Sequence, residues 1–308
     1  MYYKSGELIK MLRMQRGFSQ DRLAEGIIDR SNLSKAERGK HELTKEKMDA
    51  LMDRLGYSAR RLISYALNNE EYRIFTLRDE LDACLAHWNF ERAEKLMAEL
   101  EKMPAFQEDL LKQYLLKSKV ILHLMKQDKD IHYALKLLTA AIRITIPAFD
   151  EKCPRFSLLT CQDIEIINQL ANIHYQNAEI DKAICLLEKA AVSIRKHTLD
   201  EYEKTRLLAL VLFNLSSILV EKSRFAYALE ICNEAIDSCR NNRVYGMLPN
   251  FIFNKAHCLF YFGRTEEVKP LLLQAYYGCL VQGQASKAAY VQEYAKINFQ
   301  INIIPAKD

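Results

Sequence analysis

The sequence predicts an all-α protein, and three observations carry that prediction. Glycine (9) and proline (6) are scarce among 308 residues while 49% of the chain is apolar, a balance that favours helix over sheet and can fill a sizeable core. The first segment holds two short helices joined by a tight turn. Beyond it, a small–large–small triplet with helical spacing recurs five times.

In the first segment, a helix is expected from Ser5 to Arg16, with Leu8, Ile9 and Leu12 on one face and Gly17 as its stop. Ser19 then caps a helix carrying Leu23 and Ala24. The turn Gly26-Ile27-Ile28 leads to Asp29, an N-cap for a helix from Arg30 to Arg38 that Gly39 ends. Thr44 caps a fourth helix through Met48, Leu51, Met52 and Leu55, Gly56 ends it, and Ser58 caps a fifth.

The helix after the tight turn is polar, as a helix lying in a DNA groove must be. Its N-terminal side chains would meet base edges in the major groove: Arg30, Ser31 and Asn32, with Ser34, Lys35 and Arg38 further along. Arginine suits guanine, and asparagine suits adenine. Gln20, first in its helix, is placed to meet a phosphate. Leu23, Ala24 and Leu33 would form the small core that sets the angle between the two helices. Charge agrees: residues 1–67 hold 14 Lys+Arg against 9 Asp+Glu, whereas the remainder holds 30 against 31. A basic head on a neutral body points to a polyanion partner for the head alone. The pattern Q-x-x-L-A followed by S-x-L-S-x-x-E-R-G resembles the phage-repressor-like helix-turn-helix family. Its turn from Ala24 to Arg30 is one residue shorter than most members have.

The triplets of the body are Ala93/Met97/Leu100, Ala134/Leu138/Ala141, Ala183/Leu187/Ala190, Ala228/Cys232/Ala235 and Val268/Leu272/Ala275. Offsets of four and three place each triplet on one helix face, and the small leading residue admits a close neighbour. First members are 41, 49, 45 and 40 residues apart. A partner helix precedes each, for example Ile164 to Gln176 or Thr205 to Glu221, and Ala285 to Ile301 closes the array. The pattern resembles degenerate tetratricopeptide repeats of unusually long period, stacked as a superhelix with a concave inner wall. The expected organisation is a DNA-binding domain over 1–67, a linker helix over 68–86 and a repeat domain over 87–308.

A concave repeat wall suits an extended peptide, whose backbone N–H and C=O groups need partners once they leave water. Asparagine offers a donor and an acceptor together yet is a poor helix former, so asparagines inside helices call for a reason. Asn168, Asn172, Asn214 and Asn254 are such residues, with Tyr175, Gln176, Glu221, His257 and Tyr261 as further wall candidates. Repeat numbering makes Asn172, Ser217 and His257 equivalent, and Asn214 equivalent to Asn254. Bridging between helices is the alternative role for each asparagine.

Other chemistry is disfavoured. The eight cysteines, at 84, 153, 161, 185, 232, 239, 258 and 279, show no CxxC or Cys/His ligand spacing and read as thiols of a reducing compartment. The chain offers no phosphate loop, no clustered catalytic residues, no metal spacing and no expected cofactor. Lacking a signal segment or a stretch long enough for a bilayer, it is expected to be cytoplasmic, with no membrane partner.

Head and body together resemble, over essentially the whole chain, the Rgg/NprR/PrgX/PlcR family of peptide-responsive quorum-sensing transcription regulators, and the PlcR branch most. The segments RSNLSKAERG, IEIINQLANIHYQNAEIDKAICLLEK, LFNLSSILVEKSRFAYALEICNEAID and AAYVQEYAKI carry this resemblance. It implies a homodimeric DNA-binding regulator controlled by a short signalling peptide, with Asn172 and Asn214 holding the peptide backbone. The alternative is a constitutive or protein-partner-controlled regulator that uses the repeats as an interaction and dimerisation scaffold.

Overall fold

The computed structural model describes residues 5–56, 69–107, 109–125, 130–152, 154–156, 158–197 and 200–303, which form fifteen α-helices and no strand. The expected cap at Ser58, and residues 57–68 between head and body, lie outside the described residues, as does Cys153.

The head is built from α1 (Ser5–Gln15), α2 (Gln20–Ala24), α3 (Arg30–Glu37) and α4 (Lys45–Leu55). The expected caps are in place: Ser19 accepts from the Arg22 N–H, Asp29 from Ser31, and Thr44 from Lys47. Gly56 ends α4 at φ 87°. Ile9, Leu12, Leu23, Ala24, Leu33, Leu51 and Leu55 form one buried cluster, which fixes the α2–α3 angle as the sequence implied. Where α1 passes the end of α3, a Cβ on Gly6 would lie 1.9 Å from the Ala36 carbonyl oxygen, so only glycine fits.

The body helices are α5 (Asn69–Ala86), α6 (Phe90–Lys102), α7 (Asp109–Leu124), α8 (Ile131–Thr145), α9 (Cys161–Gln176), α10 (Ile180–Lys196), α11 (Glu201–Glu221), α12 (Phe225–Asn241), α13 (Leu248–Tyr261), α14 (Thr265–Val281) and α15 (Ala285–Asn298). Every triplet falls on the second helix of its pair and is buried. Some ends differ from expectation. Helix α9 starts before Ile164 because Thr160 and Asp163 form a reciprocal capping box, and α15 stops at Asn298.

One turn recurs between helices. Residues Trp88, Ala178 and Ser223 each adopt φ near +60°. The following N–H reaches five residues back: Asn89 to Cys84, Glu179 to His174 and Arg224 to Leu219. This Schellman geometry satisfies carbonyls at the helix end.

The chain forms two compact units: residues 1–189 with 196–200, and residues 190–195 with 201–308. The first holds the head and α5–α9; the second holds α11–α15. Within the first unit the head sits on the body through a buried polar network. Gly26, at φ +69°, lets the α2–α3 turn approach the C-terminus of α8, where a Cβ would lie 2.1 Å from the Thr145 carbonyl oxygen. Arg54, 2% exposed, donates to the carbonyl oxygens of Leu23 (3.0 Å), Glu25 and Thr145 (3.5 Å). The Thr145 hydroxyl bonds Asp163 of α9, and Gln113 of α7 donates to Thr145 (2.8 Å) and Asp163 (3.0 Å). Buried polar groups thus find partners in one another.

Candidate functional site

The polar face of α3 is available as the sequence requires. Arg30, Ser31, Lys35 and Arg38 are exposed, and Asn32 and Ser34 are half-buried. Arg30 lies 3.4 Å from Asp21, with both side chains about two-thirds exposed, an ion pair too weak to withhold Arg30 from another partner. Arg38 donates back to the Ser34 carbonyl at 3.0 Å and closes the end of the helix. Hydrogen bonds from Ser31 hold the Asp29 carboxyl below its usual range, so the cap is ionised at neutral pH.

Gln20 is placed differently from expectation. Its side-chain amide donates to Glu37 at 2.7 Å, because Glu37 is buried at 3% exposure and its carboxylate needs donors. Arg13 supplies two more, at 2.6 and 2.9 Å. Burial opposes the Glu37 charge, but Arg13 and Gln20 outweigh it and lower the pKa. Glu37 was not singled out by sequence reasoning. The only signal would have been an acidic residue closing an otherwise cationic helix.

In the second unit a pocket of about 500 Å³ opens between α11, α13 and α15. Phe213, Phe253, Tyr290 and Tyr294 form aromatic walls, and Ser217, Asn254 and His257 supply the polar atoms. Glu221 and Lys287, one acid and one base, also line it. Tyr294 lies edge-on to Phe253 at 5.3 Å, and its hydroxyl is 3.4 Å from His257 Nδ1. Burial drops the His257 pKa to about 4, so its imidazole is neutral at physiological pH.

Asn254, 6% exposed, donates its Nδ2 protons to Ser216 (3.0 Å) and Ser217 (3.1 Å). Among the described residues no donor reaches its Oδ1, which stays available as an acceptor. Asn254 therefore combines the two roles weighed for the asparagines: it bridges helices and borders a pocket.

The other wall candidates are dispersed. Tyr261 stands outside the pocket lining, exposed, with its ring stacked on Phe225 at 4.4 Å. Asn214 is half-buried on α11, also outside the lining. On α9 in the first unit, Asn172 and Tyr175 are half-buried, Gln176 is exposed and Asn168 is buried. Tyr290 and Tyr294 were missed as site residues, although their spacing of four in AAYVQEYAKI marks one face of α15.

A helix-turn-helix with an exposed polar third helix, joined to a tetratricopeptide-like helical body, defines a class of DNA-binding regulator. Residues 9–62 match the helix-turn-helix family model, and residues 151–292 match the RNPP family C-terminal domain. The two matches together support a regulator of the RNPP type. Its fold is similar to that of Bacillus thuringiensis PlcR in complex with the peptide PapR7 and DNA, at 19% identity and a TM-score of 0.59, covering 94% of this chain and 99% of that one. It is also similar to ComR from S. thermophilus in complex with DNA and its signalling peptide ComS (16% identity, TM-score 0.52, 96% and 100% covered). A third similar structure is the SHP pheromone receptor Rgg2 of Streptococcus dysgalactiae (16%, 0.53, 95% and 98%). The family and these neighbours are DNA-binding regulators, not enzymes. No curated protein matches the sequence. Among the described residues no helix is long and apolar enough to cross a membrane.

Proposed function

We propose that this chain is a cytoplasmic, homodimeric transcriptional regulator whose operator binding is set by a short signalling peptide held by the repeat body. The observation that carries this reading is the aromatic-walled pocket of α11, α13 and α15, with the Asn254 Oδ1 at its border, inside an RNPP family C-terminal domain. Such a pocket takes one apolar or aromatic side chain, while an asparagine carbonyl accepts a backbone N–H of the same peptide. Asn172 and Asn214 extend the same backbone recognition in this reading, with Asn168, Tyr175, Gln176, Glu221, His257 and Tyr261 as surrounding wall. That PlcR and ComR form complexes with both DNA and a peptide supports the pairing of partners.

In this reading residues 1–67 are the DNA-binding domain, 68–86 the linker helix and 87–308 the peptide-binding domain. Two heads of a dimer must meet half-sites about 34–36 Å apart or a multiple of that. A peptide that favours one arrangement of the body shifts the population of head spacings. Coupling of about 1–3 kcal/mol would change operator affinity roughly 5–150-fold.

The test is native mass spectrometry of the protein incubated with the small-peptide fraction of its own organism's spent medium. Asn172→Ala, Asn214→Ala and Asn254→Ala variants run beside it. A retained peptide, lost in the variants, establishes the receptor. A folded protein that retains none, or whose operator affinity ignores a saturating bound peptide, sinks the reading.

A further inference from the structure

A second cavity, of about 420 Å³, lies at the junction of head and body within the first unit. Its head side is formed by Arg22, Glu25 and Arg54, and its body side by Thr145 to Ala148, Asp150, Arg155 and Leu158. Arginines from three segments of chain therefore line it. None of them makes an ion pair among the described residues; Arg22 only rests on the Phe18 ring, 4.8 Å from its centroid.

Arg54 is the informative one. It is 2% exposed and held by carbonyl oxygens alone, and its buried Nε has no partner. Its hydrogen bonds all go to neutral carbonyls, and burial outweighs the nearby charges of Asp163 and Glu25 and lowers its pKa, so part of its desolvation cost stays uncompensated. The two acids of the cavity do not cancel it. Asp150 turns one carboxylate oxygen to the Lys152 N–H at 2.9 Å, and Glu25 is exposed.

We propose that this junction cavity binds a small oxyanion, a phosphate or carboxylate group on a metabolite-sized molecule, clasped by Arg22, Arg54 and Arg155. Guanidiniums are the side chains best matched to such groups, because their forked donors meet two oxygens at once. Glu25 and Asp150 would accept hydroxyl or ammonium protons from the rest of the molecule. Because the arginines come from both sides, the bound anion would tie the head to the body. The site is separate from the peptide pocket and does not depend on that reading.

The test is calorimetric titration of the full chain with inorganic phosphate and, separately, with citrate, against chloride at matched ionic strength. Wild type, Arg155→Gln and Arg22→Gln are compared; both substituted arginines are exposed, so the fold is expected to persist, as circular dichroism would check. Saturable binding with one anion per chain is expected, weakened about tenfold or more in each variant, as loss of a charge-assisted pair implies. Binding by phosphate only or by citrate only supports the site and assigns its chemistry. Absence of saturable binding by either probe, or binding indifferent to both substitutions, overturns it. Operator affinity that falls in Arg155→Gln without added anion would give this arginine to the DNA backbone and overturn it too.

Discussion

Glu37, the last residue of α3, holds Arg13 of α1 in a two-pronged ion pair, with Nε to Oε1 at 2.6 Å and Nη2 to Oε2 at 2.9 Å. The pair is shielded from water on both sides, at 13% and 2% side-chain exposure, so it sets where α3 lies rather than decorating its surface. Glu37→Gln keeps the shape and removes the charge, leaving Arg13 without a counter-ion. The expected outcome is destabilisation of the head by about 1–3 kcal/mol in urea unfolding. Operator affinity should fall alike for matched and mismatched sequences, since no base contact is touched.

The exposed residues of α3 should behave otherwise. Asn32→Ala is expected to cost about 1–3 kcal/mol on the cognate operator and to relax preference at one base position. Lys35→Ala should weaken all sequences and reduce the salt slope by about one if it meets a phosphate. Fluorescence anisotropy across a salt series separates the two. Equal losses on cognate and random DNA for Asn32→Ala would remove it from base reading.

Asn254 bridges two serines and borders the pocket, so its loss should register twice. Asn254→Ala is expected to cost about 1–3 kcal/mol of stability by stranding Ser216 and Ser217, and also to weaken peptide binding. Asn172→Ala, at a half-buried site, should spare stability. Thermal unfolding beside peptide titration distinguishes a bridging from a binding asparagine.

Two histidines should shape the acid response with opposite signs. His257 is held neutral by burial, with a pKa near 4 against about 6.5 when unfolded. The unfolded chain then binds the extra proton between those values, so this contribution falls as pH drops from about 6.5 towards 4. It amounts to a few kcal/mol at most. His174 is also buried, which opposes its charge, but Glu151 and Glu179 flank it at 3.4 and 2.7 Å and raise its pKa. Its contribution is complete below its unfolded pKa and is lost as pH rises through the higher folded value. His257→Phe should blunt acid destabilisation, and imidazole proton spectra should show His174 charged at a pH where His257 is neutral.

At the head–body junction, Gly26→Ala forces a Cβ against the Thr145 carbonyl at a backbone angle that L-residues disfavour. Strain of about 1–2 kcal/mol plus the clash should loosen the head from α8. Hydrogen exchange is expected to rise at the ends of α2 and α8. Unchanged protection there would mean that the contact is not what holds the head.

Much of this was legible in the sequence because it depends on near neighbours. The caps at Ser19, Asp29 and Thr44, the buried triplets from Ala93 to Ala275 and the polar face of α3 follow from side chains acting within about one turn of their own backbone. What the chain alone determined is thus the helix inventory, the repeat and the DNA-binding class. Pairings across 24 to 91 residues were not legible: Arg13 with Glu37, Asn254 with Ser217, Arg54 with Thr145. Sequence spacing carries no record of which buried polar groups will meet. That matching belongs to the tertiary structure, because a charge or amide removed from water takes whichever donor or acceptor packing brings within about 3 Å. It turned Gln20 inward, made Asn254 a bridge as well as a pocket residue, and gathered Arg22, Arg54 and Arg155 around one cavity.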